Sequence, residues 1–188
     1  MVTQQCARFC TSPSKYNEES FKIICRYLLR AKDKGIVLRL DKKRGLGCYV
    51  DADWLGSWQD VSSNYPLSSH SRTGYVIMFA GCPIMWSSKM QPLIALSKTE
   101  ASYIALSSSL HEVISINNLL SELQSQKFPI PNTAPIVICK VFEDNKSSID
   151  ISTDLKARSS SKHLSVMLHH FRSHAVNKTI QIEHILTK

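Results

Sequence analysis

The chain has 188 residues, 43% of them hydrophobic and 20% charged, which suits one sizeable folded domain with a short appendage. No apolar run approaches the roughly 20 residues that span a bilayer, and "MVTQQCARFC" lacks the basic-then-apolar order of a secretory leader, so an intracellular protein, cytoplasmic or nuclear, is expected. A net charge of +8 favours polyanions, nucleic acid before anionic membrane.

Residues 16–33, "YNEESFKIICRYLLRAKD", place Phe21, Ile24, Cys25, Leu28 and Leu29 at helical spacing. Asn17 is the expected N-cap, with Glu18 and Glu19 where the helix dipole favours negative charge, and Gly35 ends the helix. "IVLRL" (36–40) reads as a short strand and "DKKRGLG" (41–47) as a turn. In "CYVDADW" (48–54), alternation sets Tyr49, Asp51 and Asp53 on one face and Cys48, Val50 and Ala52 on the other. A polar loop is expected over 62–74. Strands over 75–81 and 82–88 then form a hairpin around Gly81.

Ala101, Ile104, Ala105, Leu110, Val113, Ile114, Leu120 and Leu123 predict a long amphipathic helix over 98–125. Three prolines make 128–135 a loop, and "IVICKVF" (136–142) is an apolar run suited to a strand buried on both faces. A short helix is expected from about Asn145, a loop over 159–162, a helix over 163–176 and a closing strand over 179–185. Strands first, then alternating helices and strands, point to a mixed sheet with helices on its faces.

Six cysteines (Cys6, Cys10, Cys25, Cys48, Cys82, Cys139) lie far apart without a C-x-x-C pair, and read as small reduced core residues. His163, His169, His170, His174 and His184 invite a zinc reading, but no cysteine or H-E-x-x-H motif supports it. Three acids stand where chemistry is plausible: Asp51 in a strand, Glu100 opening the long helix, and Asp144 ending the buried strand, where open α/β sheets present their ligands. Carboxylates converging on one point can hold two divalent cations about 4 Å apart for phosphodiester cleavage, and Mg²⁺ suits such oxygen ligands.

"YVDADWLGSW", "SRTGYVIMFAGCPIMWSSKMQPLIALSKTEASYIALS", "EDNKSSI" and "SKHLSVMLHHFR" together resemble the ribonuclease H domain of copia-type retrotransposon polyproteins. "QCARFCTSPSKYNEESFKIICRYLLRAKDKGIVL" resembles the segment that joins the reverse transcriptase to that domain. The resemblance implies an α/β fold: a ribonuclease H-like mixed five-stranded sheet with helices on both faces, over residues 46–188, preceded by a helix–strand connection segment over residues 1–45. It implies metal-dependent cutting of RNA in RNA–DNA hybrids, with two Mg²⁺ or Mn²⁺ ions, and the reverse transcriptase portion of the same polyprotein as a partner. By resemblance, Asp51 and Asp144 are catalytic metal ligands and Asp53 a back-up ligand.

Two departures from the family pattern predict impaired cleavage. The family's helix motif is T-E-A-E-Y, whose second glutamate is a metal ligand; here the stretch reads Thr99-Glu100-Ala101-Ser102-Tyr103, so Ser102 holds that place. Residues two apart on a helix point about 200° from each other, so Glu100 cannot take over. Ser97 and Glu100 instead fit a capping box. The family also continues into a further helix with a fourth acid, whereas this sequence ends at "TIQIEHILTK", and Ser165 and Met167 stand where family members tend to carry Asp and Arg. A non-catalytic nucleic-acid-binding remnant is the alternative reading, and a fragment that does not fold stably is a third.

For hybrid contact, Lys89 and Lys98, around the long helix, are the best placed cations, with Asn145 and the Lys162-His163 pair beside them. Arg26, Arg30, Lys32, Lys34, Lys42, Lys43 and Arg44 form a second basic group near the N-terminus, equally readable as a solvated charged face. Trp86 and Tyr103 are expected in the core rather than as stacking platforms.

Overall fold

The computed structural model describes residues 2–7, 9–41, 43–55, 69–128, 139–153 and 180–186. The chain divides into two compact units, Met1–Leu38 and Arg39–Lys188.

In the first unit, α1 (Val2–Ala7) packs on α2 (Lys15–Ala31). The α2 helix forms as its spacing predicts, but the N-cap is Ser14 and not Asn17. The Ser14 hydroxyl accepts the Asn17 backbone N–H at 3.4 Å, so Asn17 already lies in the first turn. The strand expected over 36–40 does not form. Residues 34–41 pair with no strand, and Ile36 is 85% exposed, because an apolar run without a ladder partner gains nothing from extension.

The second unit is built on five strands: β1 (Leu46–Asp53), β2 (Arg72–Phe79), β3 (Cys82–Met90), β4 (Cys139–Glu143) and β5 (Ile180–His184). They lie in the order β3-β2-β1-β4-β5. β1, β2 and β3 are antiparallel neighbours, whereas β4 runs parallel to both β1 and β5. This is the mixed five-stranded sheet that the resemblance implied. The β2–β3 hairpin turns through Ala80 and Gly81, both at positive φ (50° and 80°), the backbone that matches a two-residue turn to strand twist. β3 is an outer strand of the sheet, with Pro83 near its start opposite a register irregularity at Ile77/Met78.

α3 (Lys98–Ser125) has the limits that its periodicity predicts. It covers one face of the sheet. Ala101, Ile104, Ala105, Leu106, Leu110 and Val113 pack on Cys48, Val50, Ala52, Ile77, Cys139 and Val141 in one contiguous core. Burying each large aliphatic there contributes about 1.5–3 kcal/mol. Its start is fixed twice. The Ser97 hydroxyl accepts the Glu100 N–H at 3.1 Å, and the Glu100 carboxylate accepts the Leu96 N–H at 2.8 Å, one residue beyond the reciprocal partner of a standard capping box. Buried Gln91 ties β3 to the helix, donating from Nε2 to the Ala101 carbonyl at 2.8 Å and to Thr73 Oγ1 at 3.1 Å.

α4 (Lys146–Thr153) follows β4, with the Asn145 side-chain oxygen accepting the Ser148 N–H at 3.3 Å. Of the strand expected over 136–142, residues 136–138 lie outside the described residues, as does the helix expected over 163–176. All six cysteines are free; Cys48, Cys82 and Cys139 are buried as expected, while Cys10 is exposed. Burial pushes the Cys48 and Cys139 thiols up to about 12, so both stay protonated at neutral pH. Tyr103 is buried, but Trp86 is 71% exposed and so is not a core residue: it lies on the sheet face opposite α3, beside Tyr49 and Val76. Alternation along β3 turns Trp86 outward.

Candidate metal centre

Alternation along β1 acts as expected. Cys48, Val50 and Ala52 are buried against α3, and Asp51 is exposed on the other face. β4 alternates in the same phase, with Cys139, Val141 and Glu143 buried. The two strands are in parallel register at Gly47↔Lys140, Cys48↔Val141 and Tyr49↔Phe142, and the Tyr49 and Phe142 rings stack at 4.8 Å. The paired stretch ends at Tyr49↔Phe142; Asp51 lies two residues further along β1 and Asp144 directly follows β4, so both acids stand toward the carboxyl ends of neighbouring parallel strands. The crevice outside such strand ends is where an open α/β sheet presents a ligand.

The turn after β4 is pinned from both sides. The His184 Nε2 donates to the Asp144 carbonyl at 3.0 Å, and the Ile185 N–H donates to the Glu143 carbonyl at 3.0 Å. The Asn145 N–H donates to Glu143 Oε1 at 3.2 Å, and Asn145 Nδ2 donates to the Ser102 hydroxyl at 3.3 Å. Asn145 thus bridges the end of β4 to the helix position that the family motif gives to a glutamate. Ser102 is 1% exposed, so that position faces inward.

Glu143 is the residue that sequence reading passed over. It is 0% exposed, and its Oε2 has no hydrogen-bond partner among the described residues. Burial pushes its carboxyl up to about 8. A hydrogen bond from the Asn145 N–H opposes this, and the Asp144 carboxyl, within hydrogen-bond reach, and the Asp51 charge add to it. The signal was present in "FEDN": alternation from Cys139 and Val141 turns the first of the two acids inward.

Asp53 is half-buried at the last position of β1, two residues and about 7 Å beyond Asp51, and its register partner is Arg72. Lys89, on the outer strand, and Lys98, at the first position of α3, are both exposed. Lys162 and His163 lie outside the described residues. Glu100 caps α3 and takes no part in the carboxylate group. Among the described residues, no three His, Cys, Asp or Glu side chains stand close enough together to hold a metal ion. The arrangement is a close pair, Glu143 and Asp144, with Asp51 in electrostatic reach.

No protein-family model matches the chain. It is 29% identical over 182 residues to the retrovirus-related Pol polyprotein from transposon RE1 of Arabidopsis thaliana, an alignment covering 96% of this chain and 11% of that protein. It is 32% identical over 181 residues to the corresponding polyprotein from transposon TNT 1-94 of Nicotiana tabacum, covering 96% of this chain and 12% of that protein. The chain therefore spans about a tenth of the length of these curated relatives. Among solved structures, LC11-RNase H1, isolated from compost, aligns at 13% identity with a TM-score of 0.46, covering 76% of this chain and 84% of that one.

Proposed function

Because the chain is homologous over nearly its whole length to one stretch of the Pol polyproteins of copia-type retrotransposons, we propose that it is a ribonuclease H-like domain that binds RNA–DNA hybrid and whose RNA-cleaving activity is impaired. What supports this reading is the sheet order β3-β2-β1-β4-β5, with Asp51 toward the carboxyl end of β1, Asp144 directly after β4, and buried Ser102 on α3 at the position that the family motif gives to a glutamate.

The donor set suits a hard divalent cation. Asp51 and Asp144 offer carboxylate oxygens, and the buried Glu143 Oε2 has no hydrogen-bond partner among the described residues. Bound there, Mg²⁺ or Mn²⁺ would polarise the scissile phosphate and lower the proton affinity of a coordinated water. The chain's own residues orient the hybrid. Lys89 and Lys98 meet backbone phosphates, and the Asn145 amide, held by Ser102, fixes the approach to the strand ends. Hybrid recognition of this kind reads the minor groove and the 2′-hydroxyl groups, not base edges. Ser102 supplies a neutral hydroxyl where the family motif has a ligand carboxylate, so positioning survives and turnover falls.

The test is fluorescence anisotropy with a labelled RNA–DNA hybrid across a salt series, beside a cleavage assay in Mg²⁺ and in Mn²⁺. Salt-sensitive binding is expected, with Lys89→Ala/Lys98→Ala lowering the salt slope by about 2. Absence of hybrid binding at low salt overturns the function. Robust turnover that disappears in Asp51→Asn overturns the impairment.

A further inference from the structure

In the first unit, α2 is an amphipathic helix whose apolar side stays in water. None of its residues is buried, although Phe21, Leu28 and Leu29 are large and α1 packs on the helix; they are 57%, 59% and 70% exposed. At about 100° per residue, Phe21, Ile24, Cys25 and Leu28 form one stripe along the axis. Lys15, Lys22, Arg26 and Arg30 form a second stripe on the far side of the helix. Glu18 holds Lys22 at 2.6 Å, whereas Lys15, Arg26 and Arg30 make no ion pair with the described residues. Tyr16 and Tyr27, both exposed, lie between the two stripes, each with an apolar ring and a polar tip. The chain beyond the helix has the same character: Lys32 and Lys34 are followed by Ile36, Val37 and Leu38, all exposed.

We propose that α2, with the Ile36–Leu38 run behind it, docks in the plane of an anionic lipid bilayer. Charge complementarity selects this occupant. A nucleic acid would engage the cations and leave the apolar stripe wet, and an apolar protein groove would cover the stripe and leave the cations unused. An acidic bilayer surface satisfies both. The apolar side chains enter the acyl boundary, the cations stay level with the lipid phosphates, and the tyrosines sit between them at headgroup depth. The helix lies on such a surface and does not cross it: it has 17 residues, and among the described residues no helix is long and apolar enough to span a membrane. The proposal concerns the first unit alone and does not depend on the metal centre or on hybrid binding.

The probe is a vesicle of phosphatidylcholine alone or of phosphatidylcholine mixed with phosphatidylserine, sedimented with the full chain. Binding to the mixed vesicles is expected, weakening with salt and falling roughly tenfold or more without the anionic lipid. Arg26→Gln and Arg30→Gln should each weaken it about fivefold, and Phe21→Ala/Leu28→Ala roughly tenfold or more. Lys127→Gln and Leu119→Ala, an exposed cation and an exposed leucine of the second unit, should leave it unchanged. Circular dichroism checks that each variant keeps its helices, and the comparison of the two vesicles needs no variant. Absence of binding to the mixed vesicles, or equal binding to both kinds, overturns the proposal, as does full binding by folded Phe21→Ala/Leu28→Ala. Self-association without lipid that Phe21→Ala/Leu28→Ala abolishes, with no vesicle binding, overturns it in favour of a second copy on the stripe. Hybrid binding that Arg26→Gln/Arg30→Gln weakens, again with no vesicle binding, overturns it in favour of a nucleic-acid surface.

Discussion

Replacing Glu143 by glutamine should convert the chain from one that weakens in mild alkali to one that does not. Burial, reinforced by Asp144 and Asp51, raises the Glu143 carboxyl from 4.5 to about 8 in the folded state. A carboxyl whose proton affinity is higher folded than unfolded stabilises the fold fully below the unfolded value, about pH 4.5, and loses that contribution as pH climbs to about 8, beyond which the loss is complete. At about 1.4 kcal/mol per tenfold change in affinity, the whole loss is about 5 kcal/mol and the part reached by pH 7 about 3 kcal/mol. These are upper figures, since solvent entry or a bound cation relieves the buried charge. Glu143→Gln has almost the same shape and no ionisation. In EDTA, urea unfolding followed by circular dichroism should give near-equal stabilities for the two proteins at pH 4.5. The variant should be more stable by a few kcal/mol at pH 7 and by more at pH 9. Curves that stay parallel to within 1 kcal/mol from pH 4.5 to pH 9 would refute a buried, ionisable Glu143.

Ser97→Ala should cost about 1 kcal/mol, because the Glu100 N–H loses its acceptor at the start of α3; an unchanged thermal midpoint would show that the Glu100–Leu96 bond suffices. Gln91→Leu should cost about 1–3 kcal/mol, since it leaves Thr73 and the Ala101 carbonyl without their shared donor in a buried setting; a neutral result in chemical denaturation would contradict this. Gly81→Ala should cost about 1–2 kcal/mol from its φ of 80° alone, because the added carbon meets nothing closer than 3.5 Å; equal stability would mean that the hairpin relaxes.

The elements with a strong period were legible from sequence. α3 follows from Ala101 to Leu123 without a glycine or proline, and its cap from Ser97. The β2–β3 hairpin follows from Gly81 between two apolar runs. What failed was decided by neighbours that a sequence does not display. Ile36, Val37, Leu38 and Leu40 read as a strand, yet no ladder partner reaches them. Trp86 reads as core on composition, whereas its register opposite Val76 aims it outward. Glu143 was eclipsed by Asp144, which the motif names; only its depth, set by α3 and the phase of β4, makes it the unusual acid.

The position of β3 at the rim of the sheet has a practical consequence for anyone handling the molecule. Among the described residues, no strand lies on its far side. Pro83 takes one donor away from that rim and Lys89 charges its other end, but Ile84, Met85 and Trp86 between them are exposed. A sister copy can add its own strand there, so concentrated samples will thicken with time and temperature, and Met85→Lys is the change that should keep them clear.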